Sequence, residues 1–143
     1  MSKWSKDWWK QITPKRGEIY WVNFGKLEEK DASQGTEING KTRPAVVISN
    51  NLQNEKGRRV VILPMSTTID EYPYRFDLYV GKIISSYQES KVICEQVRSI
   101  DKRRLQNRAG RLSDKQIAEA EVKLRKVLAL EDIRRIIFTI FNK

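Results

Sequence analysis

The chain has 143 residues, with 28 Lys and Arg against 18 Asp and Glu (28 − 18 = +10), no histidine and one cysteine. That length suits one domain, able to bury about two thirds of its unfolded surface. Cys94 has no partner for a disulfide within the chain. The missing histidines exclude a Cys/His zinc site, Ser-His-Asp hydrolysis and RNA cleavage by a histidine pair. A charge of +10 points to an anionic partner, nucleic acid first, although a merely solvated basic surface carries the same charge.

No segment approaches the ~18 apolar residues of a membrane span, and the start lacks the apolar core of a signal peptide, so a cytoplasmic chain with no membrane partner is expected. Taken in order, Trp4, Trp8, Trp9 and Ile12 share one side of an expected helix that Pro14 ends, and this face is expected to pack on its own domain or a partner chain. Arg16 to Phe24 is rich in aromatic and β-branched residues and predicts a strand ending at Gly25. Lys26 to Lys41 is polar and predicts a long loop, of the kind that is often functional. Continuous apolar runs over Pro44–Ser49 and Arg59–Met65 predict buried strands, and Asn50–Gly57 has turn composition. Arg75–Val80 alternates, as a half-exposed strand does, and Lys91–Arg98 predicts a fifth strand. Asp101 to Leu105 reads as one helical turn. Ser113 and Gln116 form a capping box ahead of a helix over about 114–130. Ile133 to Phe141 repeats the helical pattern and leaves an apolar stripe that needs a partner surface. Five short strands in about 85 residues predict a small barrel or curled sheet.

Four pieces fall in order: Arg16 to Phe24; Thr42-Arg43-Pro44 to Asn50; Leu63-Pro64-Met65-Ser66-Thr67; and Glu95-Gln96-Val97-Arg98 to Leu105. Together they closely resemble the MazF/PemK family of toxin endoribonucleases, over about residues 15–130. The resemblance implies an α+β, mainly β, SH3-like barrel of about five to seven strands with a C-terminal helix. It further implies a homodimer, single-stranded mRNA as substrate, no metal or other cofactor, and products with 2′,3′-cyclic phosphate and 5′-hydroxyl ends. A cognate antitoxin is implied as partner, with DNA contacted only through it. On this reading residues 1–143 form one toxin domain, with a Trp-rich arm over 1–13 and a helical extension over 131–143 that serves dimerisation or solubility more than RNA chemistry.

Metal-free RNA cleavage uses the neighbouring 2′-hydroxyl as nucleophile, so the protein must position it, help remove its proton and stabilise a doubly charged phosphorane. A guanidinium matches phosphate oxygens bidentately, and Arg43, set just before a buried strand, corresponds to the family's Arg-Pro arginine. The bland reading of Arg43 is a surface arginine that precedes Pro44. Ser66 corresponds to the family's strand-end hydroxyl, a hydrogen-bond donor to the phosphate or the 2′-hydroxyl rather than a base; the alternative is a turn-capping Ser/Thr cluster. Glu37 is the nearest match to the family's loop carboxylate, although Ile38 replaces the usual Gln and the spacing to Arg43 is one residue longer. Glu28, Glu29 and Asp31 stand in the same loop. Thr67, Gln96, Arg98 and Glu95 are the expected RNA contacts. One branch of the family assigns the base role at the position of Glu95, but Ile93 replaces that branch's accompanying arginine. Tyr72, Tyr74 and Phe76 beside Arg75 suggest a stacking platform, and Lys102, Arg103, Arg104, Arg108 and Arg111 a second basic cluster. Competing readings are a barrel that poisons a protein target such as gyrase, and an RNA-binding module without nuclease activity.

Overall fold

A computed structural model of the chain describes residues 6–25, 40–72, 74–84, 88–130 and 132–142. The apolar runs become antiparallel strands: β1 (Glu18–Asn23), β2 (Thr42–Val47), β3 (Arg59–Ser66), β4 (Asp77–Gly81), β5 (Ser90–Ile93), β6 (Arg98–Asp101) and β7 (Leu105–Arg111). They form an open, barrel-like sheet in the order β4-β5-β3-β2-β1-β7, with β6 also paired to β3. β2 and β3 read as unbroken apolar runs because successive side chains go to opposite faces and both faces are covered. Val46, Leu63 and Met65 join Ile19, Val92 and Leu112 on one side, beneath Ile117 and Ala120 of a helix. Ala45, Val47, Val60 and Ile62 join Val22, Phe24 and Ile100 on the other.

That helix, α2 (Asp114–Val127), starts at the expected capping box: the Gln116 N–H donates to Ser113 Oγ at 3.1 Å and the Ser113 N–H to Gln116 Oε1 at 2.9 Å. It ends where Ala129 takes a left-handed φ of 55° and the Leu130 N–H donates to the Arg125 carbonyl at 2.8 Å. A separate helix, α3 (Ile133–Phe141), follows, and Ile133, Ile137, Phe138, Ile140 and Phe141 are exposed on it. Gly17 joins three elements. Its N–H donates to the Val47 carbonyl, its own carbonyl accepts from the Leu112 N–H, and its φ is +92°. A Cβ there would lie 2.5 Å from Ile117 Cδ1.

Four expectations are corrected. The predicted strand over 91–98 is two strands separated by a 3-10 turn, Cys94–Gln96. Seven residue steps from Lys91 to Arg98 stand against four from Ser66 to Ile62 on β3, so three extra residues must leave the ladder, as in an enlarged bulge. The turn-like tract after Asn50 contains a short helix, α1 (Asn51–Lys56), capped by Asn50 Oδ1 accepting from the Gln53 N–H at 2.8 Å. Leu105–Arg111, read only as a source of basic residues, is a strand, held by β1 with two register shifts. The Trp-rich start forms a 3-10 turn, Trp8–Gln11, rather than a longer helix; Trp4 and most of the expected loop over 26–41 lie outside the described residues. Cys94 is buried, and desolvation pushes its thiol up to about 11, so it is an inert core residue.

Two substitutions test how α2 is bounded. Ser113→Ala should lower the unfolding free energy by about 1 kcal/mol through loss of the cap. Ala129→Gly should raise it by roughly 0.5–1 kcal/mol by relieving the left-handed residue. Urea denaturation of both variants measures the two changes, with opposite signs expected.

Candidate active site

The C-terminal end of β3, the start of β2 and the adjoining parts of β1 and β7 surround an open hollow of about 730 Å³. Trp21, Lys41, Arg43, Ser66, Thr67 and Arg108 are among its lining residues. Arg43 pairs across the ladder with Val22, and its neighbour Pro44 with Trp21, so a rigid antiparallel pair carries the guanidinium and the indole together. Arg43 is half-buried. Its Nε is fully enclosed and has no hydrogen-bond partner among the described residues. A buried guanidinium N–H left without an acceptor costs stability.

Ser66 is the last residue of β3, nearly buried, and its Oγ accepts from the Thr68 N–H at 3.1 Å. The expected turn-capping role is therefore real. It leaves the hydroxyl proton available to donate, since a hydroxyl holds one donor and two lone pairs. Across the ladder, Ser66 faces Lys91 of β5. Lys91 has only 12% of its side chain exposed, and its Nζ lies 2.9 Å from both Asp70 and Asp77. Burial pulls the Lys91 ammonium down, but the hydrogen bonds and charges of Asp70 and Asp77 together hold it above the ordinary lysine range. Through Asp70, Lys91 fastens the segment that follows the Ser66–Thr68 turn.

Arg43, Ser66 and Thr67 are thus brought together. Glu37 lies outside the described residues, as do Glu28, Glu29 and Asp31, and no carboxylate lines the hollow among the described residues. Glu95 and Gln96 sit on the 3-10 turn that interrupts the expected strand and are not among the residues that line the hollow. Arg98 stacks over the Phe24 ring at 4.3 Å and borders a different hollow of about 250 Å³ with Asp101 and Arg104. Tyr74 and Phe76 meet edge to face at 5.5 Å, away from the hollow. The basic cluster after residue 101 is dispersed and mostly engaged internally. Arg103 grips Asp101, Arg104 donates to the Asn23 and Gly25 carbonyls, Arg108 meets Glu18 at 2.6 Å and Arg111 meets Asp114. Trp21 and Lys41 are the site residues that sequence reasoning did not single out, whereas Arg108 was expected only as part of the second basic cluster. For Trp21 the only signal was an indole in a strand whose neighbours Ile19 and Val22 are core.

Among the described residues, no group of three or more His, Cys, Asp or Glu is placed to hold a metal ion. Fold and hollow together define a small antiparallel β protein whose open hollow is lined by a guanidinium and strand-end hydroxyls. Residues 15–128 match the PemK-like, MazF-like toxins of type II toxin–antitoxin systems, and the chain belongs to that family. It is 31% identical over 122 residues to endoribonuclease MazF9 of Mycobacterium tuberculosis, covering 81% of this chain and 97% of the relative. It is 29% identical over 123 residues to an endoribonuclease MazF of Staphylococcus saprophyticus, covering 84% and 95%. A crystal structure of MazF from Deinococcus radiodurans shares the fold at a TM-score of 0.67 and 24% identity, over 82% of this chain and 98% of that one. A mycobacterial endoribonuclease in complex with its cognate antitoxin shares it at 0.59 and 19% identity, over 84% and 97%.

Lys91→Met leaves Asp77 buried beside an apolar group and should lower the unfolding free energy by about 3 kcal/mol, whereas Asp70→Asn, at the more exposed partner, should cost under ~1 kcal/mol. Denaturant unfolding of the two variants checks the ranking; equal costs would mean that Asp77 is not the main anchor.

Proposed function

We propose that the chain is the toxin of a type II toxin–antitoxin pair and acts as a metal-independent, sequence-specific endoribonuclease on single-stranded mRNA, in the bacterial cytoplasm. Its products are fragments with 2′,3′-cyclic phosphate and 5′-hydroxyl ends. A homodimer is the working form, and a cognate antitoxin is the natural inhibitor. Family membership and the activity named for the curated relatives support this reading over a barrel that binds a protein target. The observation that carries the chemistry is that Arg43 and Ser66, with Thr67 beside it, line one hollow.

In this reading the scissile phosphate sits against Arg43, whose planar fork engages two nonbridging oxygens and gains strength as the phosphorane acquires its second charge. Ser66 donates a hydrogen bond from its hydroxyl to a nonbridging oxygen or to the 2′-oxygen, its orientation set by the Thr68 N–H. The 2′-oxygen attacks phosphorus, the bond to the 5′-oxygen breaks, and that oxygen takes its proton from solvent water. Glu37 is the proposed acceptor for the 2′-hydroxyl proton, on the strength of the family resemblance. Lys41 supplies positive potential around the phosphate, and Thr67 contacts the backbone. Gln96, Arg98 and Glu95 enter only as contacts to RNA that runs beyond the hollow.

Arg43→Met should abolish cleavage, by about 10²-fold or more, while leaving stability unchanged or raised, because it deletes a buried donor without a partner. Ser66→Ala should cut the rate by at least about tenfold and cost only ~1 kcal/mol of stability, the value of the bond to the Thr68 N–H. Cleavage of a defined mRNA, set beside thermal melting, measures both. Full activity of Arg43→Met would remove Arg43 from the mechanism.

A further inference from the structure

The opposite end of β3 carries a second basic hollow. Seven residue steps of strand at ~3.3 Å each place Arg59 about 23 Å from Ser66, too far to share one phosphate. Trp8, Gln53, Arg58, Arg59, Asp101 and Arg103 line this second hollow, of about 510 Å³. Trp8 and Trp9 precede residue 15, so this site is built partly from chain outside the family match.

The Trp-bearing turn is firmly seated. Lys102 has none of its surface exposed, and its Nζ donates to the Trp9 carbonyl at 3.1 Å. Burial lowers the Lys102 ammonium below its ordinary range, so that carbonyl is an important acceptor for it. The Arg58 guanidinium lies 4.2 Å from the Trp9 ring centre, and that of Arg103 lies 4.7 Å from the Trp8 ring centre. A guanidinium stacked on an indole keeps its N–H edge in plane and available.

The charges in this hollow do not cancel. Three arginines stand against one carboxylate, Asp101, which leaves +2. Asp101 is already gripped by Arg103, at 3.1 and 2.8 Å. The side chains of Arg58 and Arg59 make no hydrogen bond or ion pair among the described residues.

We propose that this hollow is a second single-strand site that holds the RNA several nucleotides from the cut. Arg58 and Arg59 take backbone phosphates, and the Trp8–Arg103 stack gives a flat wall against which a base lies. Guanidinium edges beside aromatic rings are the combination that single-stranded nucleic acid uses, whereas an acidic peptide has no need of a stacking wall. The inference rests on reading the chain as a ribonuclease.

The test compares the wild-type chain with an Arg58→Gln, Arg59→Gln double variant and an Arg58→Lys, Arg59→Lys double variant. The probe is a 2′-O-methyl RNA of mixed sequence, about 20 nucleotides long, which binds but cannot be cut; anisotropy is measured across a salt series. The Gln variant should bind about tenfold more weakly at low salt, and its log–log salt slope should flatten by roughly 1.4, the value for two lost phosphate contacts at ~0.7 each. The Lys variant should keep the slope and recover part of the affinity. Wild-type affinity and slope in the Gln variant would overturn the site while leaving the ribonuclease reading intact. Unchanged RNA binding with loss of binding to an oligoglutamate peptide would overturn it in favour of an acidic polypeptide. A wild-type chain that neither binds this RNA nor cuts any mRNA would overturn both.

Discussion

β3 pairs with three strands, and the placement of the functional residues follows from that. β2 runs along one edge, while the other edge is shared by β6 at the start and β5 at the end. Its alternate side chains feed both core layers, so it can neither shift register nor rotate without exposing one of them. Pro64 falls between the β6-paired and β5-paired segments, where a residue without an N–H is tolerated. The three-residue turn at Cys94–Gln96 lets a single passage of chain serve both ends of this strand. One rigid strand thereby presents Ser66 at one end and Arg59 at the other.

The positive charge is distributed by the same geometry. Most cations between Lys102 and Arg111 are used internally: one is buried against the Trp9 carbonyl, and others grip Asp101, Glu18, Asp114 or the carbonyls that end β1. These bonds hold β7 and the N-terminal turn in place and are not available to a long anionic ligand. Among the described cations that line the two hollows, Lys41, Arg43, Arg58 and Arg59 make no side-chain ion pair. A net charge of +10 says that an anion is welcome; only the pairing pattern says where.

Much of this was legible in the sequence where the local signal and the tertiary outcome agree. The apolar runs of β2 and β3 and the Ser113/Gln116 box each had one physical reading, and Arg43, Ser66 and Thr67 met as their motifs implied. Leu105–Arg111 was not legible, because Gln106, Asn107 and Arg108 give no alternation and the segment becomes a strand only through its pairing with β1. The break at Cys94–Gln96 was hidden for the opposite reason: Lys91–Arg98 looks like a continuous strand, and the interruption is imposed by the length of β3. Arg58 and Arg59 drew no notice as two cations beside a glycine, since their significance depends on Trp8 and Trp9, some fifty residues earlier in the chain.

The most direct measurement is end-group analysis of RNA incubated with the pure chain in excess EDTA. The account predicts discrete cuts whose downstream fragments carry 5′-hydroxyls and whose upstream fragments carry 2′,3′-cyclic phosphates, all absent with Arg43→Met. Intact RNA under those conditions, or fragments with 5′-phosphate ends, would contradict it.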